Sequence, residues 1–181
     1  MNPAPPEAPA STAGQTRAAT DWRRFAAMLG FVALPIFALD QLVKLYIVAH
    51  LRLFEQIDVV PHWLAITYTL NSGAAFSLFA TLGPAARGLL LDGLAAAAVV
   101  VLGVLLARGA RPPVVSAAFA LIMGGAAGNL LDRIVRGRVV DFIYVHYYSW
   151  SYPVFNLADS AITIGVAIIL LHSLFADETE A

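Results

Sequence analysis

Gly124-Gly-Ala-Ala-Gly-Asn-Leu-Leu-Asp-Arg-Ile-Val-Arg-Gly-Arg-Val-Val-Asp-Phe-Ile143 begins as an apolar helix rich in small residues, then gathers Asn129, Asp132, Arg133 and Asp141 within a few turns of chain. A second polar cluster, Phe155-Asn-Leu-Ala-Asp-Ser160, stands immediately before another long apolar run. Ionisable groups at the edge of a hydrocarbon-length helix are costly, so they mark function by default. Everything else in the chain is read outward from these two clusters.

The apolar runs are long enough to span. The 181 residues are 60% hydrophobic and 13% charged, with a mean hydropathy of +0.76; a soluble domain carries about a quarter charged residues. That deficit predicts a membrane protein. A net charge of −1 leaves no basic footprint for nucleic acid. Cysteine is absent, which removes disulfides, thiolate metal sites and a cysteine nucleophile. No metal-ligand spacing occurs, and the scattered His50, His62, His146 and His172 read as interface or loop residues.

Four spans are predicted, at about 25–49, 88–107, 114–134 and 157–175, each near the roughly 20 apolar residues a bilayer core requires. Residues 1–24, rich in Pro, Ala, Ser and Thr, read as a disordered tail and not as a signal peptide. Residues 176–181 form an acidic tail. Pro35 should kink span one, and Asp40 and Lys44 share one of its faces. Residues 50–83 are too polar to span. Val59-Val60 and Trp63-Leu-Ala-Ile-Thr-Tyr-Thr-Leu70 suit short strands of a small sheet at the membrane surface, followed by a turn at Asn71-Ser-Gly-Ala-Ala-Phe-Ser77. Residues 135–156 do not span either; their Tyr144, Tyr147, Tyr148, Trp150 and Tyr152 suit a headgroup belt. Gly124 and Gly128 are spaced for close helix packing.

Arg17, Arg23 and Arg24 precede span one, and Arg108 and Arg111 lie between spans two and three. The positive-inside rule makes that side, with both termini, cytoplasmic. Asp40, Lys44, Asn71, Asn129, Arg133, Asp141, Asn156 and Asp159 then all fall at one depth near the outer face. Two carboxylates in such a cleft share one proton, a state suited to peptide hydrolysis in which one Asp activates water and the other protonates the scissile carbonyl oxygen. Asp141 and Asp159 are the candidates, since each lies at a span boundary reachable from water. Other readings stand beside this one. Asp159 also suits a helix cap, Asp40 with Lys44 a structural pair, and Arg133 a side chain snorkelling to headgroups; Asp92 and Asp132 read as structural or solvated. A serine/lysine peptidase using Lys44 with Ser72, Ser77 or Ser160, and a small proton-coupled transporter, are the competing functions.

The segments Asp40-Gln-Leu-Val-Lys44, Asn71-Ser-Gly-Ala-Ala-Phe-Ser77, Gly124 to Arg133, Gly137-Arg-Val-Val-Asp-Phe142 and Phe155 to Ser160 occur in an order that resembles bacterial lipoprotein signal peptidase, the signal peptidase II type. The likeness runs from about Phe25 to Phe175. It implies an aspartyl endopeptidase of the bacterial inner membrane that cuts prolipoproteins before a diacylglyceryl-modified cysteine. Its implied catalytic pair is Asp141 and Asp159, with Asp40, Lys44, Asn71, Gly125, Asn129, Arg133 and Asn156 around the site. It further implies a membrane α-helical fold of four transmembrane helices with an outer β-cradle over 50–83 and a short amphipathic lid over 135–156. Neither metal nor organic cofactor is implied. The expected partners are diacylglyceryl-prolipoprotein substrates and membrane lipids, and the expected state is a monomer.

Overall fold

A computed structural model describes residues 22–73, 83–109 and 111–176. The tail expected over 1–24 lies outside these residues up to position 21, as do positions 177–181 and the end of the Asn71–Ser77 turn. The described chain holds four helices long and apolar enough to cross a membrane. They are α1 (Trp22–His50), α2 (Pro84–Ala107), α3 (Pro113–Arg136) and α4 (Leu157–Ala176). Helix α1 thus begins three residues before the expected Phe25. Prolines open α2 and α3, where a missing N–H costs nothing. Gly137, at φ 71°, closes α3 by donating its N–H to Arg133 O at 2.9 Å.

Pro35 does not break α1. One turn is widened to a π-helix at Leu29–Ala33, in which the Leu34 N–H reaches Leu29 O, five residues back. Such a turn absorbs the carbonyl mismatch that a proline creates in an i→i−4 ladder.

Helix α3 is the centre of the bundle. Half of its apolar window is buried, against 6–17% in the other three. Its buried residues are mostly small, which lets neighbours approach to backbone contact. A Cβ at Gly124 would lie 2.5 Å from Ala33 O of α1, and one at Gly125 would lie 2.5 Å from Ala158 O of α4. Neither position has room for a side chain.

The two non-spanning segments join in one antiparallel sheet, ordered β1 (Gln56–Val60), β2 (Leu64–Asn71), β3 (Val139–Tyr147) and β4 (Trp150–Ser151). The segment expected as a short amphipathic lid, 135–156, contributes to this sheet. Nine of those residues form β3, which pairs with β2 in a register that sets Thr69 opposite Asp141 and Asn71 opposite Val139. The reason is physical: Val139, Val140 and Phe142 are fully buried, and Val140 and Phe142 pack with Ile47 of α1, so this stretch belongs to the core. The aromatic residues expected as a belt cluster at the sheet's far end. Trp63 packs on Tyr147 at 4.5 Å between ring centres, and Tyr148 and Trp150 are exposed.

Candidate active site

The site grows from the C-terminal halves of α1 and α3, the N-terminal end of α4, and β2 and β3. On α1, Asp40 and Lys44 are one turn apart and fully buried, with Lys44 Nζ 2.7 Å from Asp40 Oδ2. Lys44 reaches two groups of α3 as well: Asp132 Oδ2 at 2.9 Å and Asn129 Oδ1 at 3.0 Å. All three ammonium hydrogens therefore have acceptors.

Asn129 passes the contact on. Its Oδ1 accepts from Lys44, which fixes the amide's orientation, and its Nδ2 donates to Asp159 Oδ1 at 2.8 Å. Asp159 stands in the first turn of α4, where Asn156 is the cap. Asn156 Oδ1 accepts the Asp159 N–H at 2.9 Å, and Asp159 Oδ2 accepts the Asn156 N–H at 3.2 Å. This reciprocal pair is a capping box. The carboxylate that closes the capping box is thus also a candidate site residue.

Asp141 comes from the sheet. Asn71 Nδ2 donates to its Oδ2 at 2.9 Å, and Asn156 Nδ2 donates to its Oδ1 at 2.6 Å. Asn156 therefore touches both carboxylates, one through its side chain and one through its backbone N–H. Asp141 is 1% exposed. Burial pushes its carboxyl up to about 7, and the neighbouring Asp159 adds to the rise; the Asn71 and Asn156 amides and the Lys44 charge oppose it. An acid so placed is half-protonated near neutral pH.

Of the nine residues expected around the site, seven form one connected network: Asp40, Lys44, Asn71, Asn129, Asp141, Asn156 and Asp159. Arg133 and Gly125 stand beside it. Arg133 lies 3.8 Å from Asp92 of α2 and donates to Asn129 O at 3.5 Å. Gly125 permits the close approach of α4 that brings Ala158, and hence Asp159, to α3. Ser160 is occupied with Asn156 O at 3.0 Å.

Asp132, read from the sequence as structural or solvated, was not among the residues expected around the site. It is fully buried and accepts from Lys44, Arg136 and the Val140 N–H, the last at 3.1 Å. The signal was its spacing: Gly124, Gly128 and Asp132 form an i, i+4, i+8 stripe, and that stripe faces α1.

The sequence model of Signal peptidase (SPase) II matches residues 32–175. The chain belongs to the signal peptidase II family. The peptidase is 42% identical over 146 residues to the lipoprotein signal peptidase of Pseudomonas aeruginosa strain UCBPP-PA14, covering 78% of this chain and 84% of that one. It is 40% identical over 141 residues to that of Mesorhizobium japonicum, covering 76% and 79%. A bacterial membrane enzyme solved by the in meso method at 2.3 Å superposes with a TM-score of 0.74 at 29% identity, over 83% of this chain and 90% of that one. A second, at 1.9 Å, gives a TM-score of 0.70 at 30% identity, over 80% and 91%. The protein is thus a bacterial multi-pass membrane peptidase.

Proposed function

We propose that the peptidase is an aspartyl endopeptidase that removes the signal peptide from prolipoproteins, cutting before a diacylglyceryl-modified cysteine, with Asp141 and Asp159 as its catalytic pair. One observation carries this reading: the two carboxylates meet at a single residue, Asn156, at one end of the bundle, and each is also held by a further asparagine. Asp141, with its carboxyl raised to about 7, supplies the proton of the pair near neutral pH.

Asp159 takes a proton from water as the water oxygen attacks the scissile carbonyl carbon, while Asp141 gives its proton to the carbonyl oxygen. The resulting gem-diol returns a proton to Asp141 as the C–N bond breaks, and Asp159 protonates the departing amine of the lipidated cysteine. The pair ends the cycle with one proton, as it began. Lys44 is no base in this scheme, because its ammonium is held between two carboxylates and an amide. That arrangement also removes the support for a serine/lysine mechanism. The arginines of the loop between α2 and α3 support, by the positive-inside rule, a reading with both termini in the cytoplasm and the site near the outer face of the inner membrane, where lipidated substrate arrives. The enzyme acts as a monomer without a metal or organic cofactor.

The test is cleavage of a diacylglyceryl-modified prolipoprotein in detergent by wild type, Asp141→Asn and Asp159→Asn. Loss of at least ~10³-fold in kcat is expected for each variant, in line with removal of a member of an acid–base pair. Wild-type activity in either removes the pair. Equal cleavage of unlipidated substrate removes the lipid requirement.

A further inference from the structure

Asp40 and Asp132 are both fully buried, on different helices, and both lie within 2.9 Å of Lys44 Nζ. Each spends an oxygen on a backbone N–H, and the two N–H groups are related. Asp40 Oδ1 accepts from Ala158 at 3.0 Å, the residue immediately before Asp159. Asp132 Oδ2 accepts from Val140 at 3.1 Å, the residue immediately before Asp141.

Both contacts are unusual. The Ala158 N–H is one of the donors a helix leaves unsatisfied in its first turn. The cap side chain, Asn156, is already committed to the Asp159 N–H, so a carboxylate 118 positions away on another helix supplies the missing acceptor. The Val140 N–H turns to a side chain of α3 although Val140 stands in a strand.

Stability alone does not account for such a cluster. Burying charges costs several kcal/mol per ion, and well-packed apolar residues of similar volume often serve stability as well or better. What this cluster supplies is position. A single ammonium ties together the two backbones that carry the candidate pair, and a misplacement of about 1 Å at a reacting centre can cost 10²-fold in rate.

We infer that Asp132 is a positioning residue which, with Asp40 across Lys44, sets the spacing of Asp141 and Asp159 through the Val140 and Ala158 N–H groups. The inference rests on the reading of Asp141 and Asp159 as the catalytic pair. Asp132 touches neither carboxylate of that pair and acts through the backbone of β3. Arg136, which meets Asp132 Oδ1 at 2.5 Å, lies on the outer side of the cluster and is not part of the clamp.

The experiment uses the full chain in detergent with diacylglyceryl-modified prolipoprotein, and measures kcat, KM and Tm for wild type, Asp132→Asn, Arg136→Gln and Asp141→Asn. Asparagine keeps the shape of Asp132 but cannot accept from Lys44, Val140 and Arg136 together. The expected result for Asp132→Asn is a ten- to hundred-fold fall in kcat with KM within about twofold of wild type. Arg136→Gln should keep kcat within about twofold. A kcat near wild type in Asp132→Asn, or an equal loss in Arg136→Gln, overturns the proposal, the latter because it makes Asp132 an anchor for the end of α3. If Asp132→Asn does not fold, Asp132→Glu carries the test. It keeps the charge but moves the carboxylate by one methylene, so the same kcat loss at an unchanged Tm is expected, and wild-type kcat overturns the proposal. Activity in Asp141→Asn would remove the catalytic pair itself. An inactive Asp141→Asn beside a fully active Asp132→Asn would remove the clamp alone.

Discussion

Asp141 and Asp159 are both aspartates bound to Asn156, yet their surroundings differ. Asp141 sits on a strand with 1% exposure, and Asp159 sits in the first turn of a helix with partial exposure. With the Asp141 carboxyl raised to about 7, activity is expected to fall as pH rises through that value, because the proposed general acid loses its proton. Asn71 donates to the ionised form of Asp141 and so holds its pKa down. Asn71→Ala therefore has a signed consequence: the alkaline limb of kcat/KM against pH should move upward. A limb that stays in place, or moves to lower pH, would show that the Asn71 amide does not act on this acid. Lys44, the only lysine of the chain, works on the other partner. It orients Asn129, whose free N–H then points at Asp159.

Among the elements, α3 decides how near the others can come. Its small residues were legible as a packing stripe, but the stripe has two faces with different duties. Gly124 faces Ala33 of α1, seven residues before Asp40, whereas Gly125 faces Ala158, next to Asp159. Both Gly124→Ala and Gly125→Ala force a carbonyl oxygen to move and should each cost about 1–3 kcal/mol of stability, seen as a lower Tm. Only Gly125→Ala should also cut kcat, by roughly tenfold or more, when assayed well below its Tm, because it displaces the first turn of α4. Equal kcat in the two variants would mean that this turn tolerates the shift. The strand β3 is the element that sequence patterning missed. Its run Val139-Val-Asp-Phe-Ile-Tyr-Val reads as apolar with one charge, and the tyrosines that follow suggest a surface segment. Its β2 partners lie 68 (Asn71 with Val139) to 81 (Leu64 with Val145) residues earlier in the chain, and no local pattern announces the pairing.

For the whole molecule, the arrangement is a bundle polar at one end. The Arg24 guanidinium donates to Arg111 O at 2.8 Å, which brings the start of α1 to the loop between α2 and α3 at the end opposite the site. Since cysteine is absent, single cysteines report orientation cleanly. In spheroplasts, Asp58→Cys on exposed β1 should react with a membrane-impermeant maleimide. Arg108→Cys, at the exposed end of α2, should react only after permeabilisation. The opposite pattern would invert the proposed topology.

The sequence by itself determined the number of spans and the identity of most polar groups at the site. Both follow from one cost: charge is excluded from hydrocarbon-length helices unless it has a purpose, so runs without charge show as spans and exceptions show as sites. It did not determine how those groups connect. Asp40 and Asn156 reach their partners from 118 and 15 positions away. Asp132 read as structural or solvated, and burial beside Lys44 of α1 decides between the two. Only the tertiary structure decided that the two non-spanning segments share a sheet, that a candidate site carboxylate closes the capping box of α4, and that one buried lysine links both halves. Such facts are set by through-space contacts between distant segments, for which a buried donor must find an acceptor wherever the fold brings one.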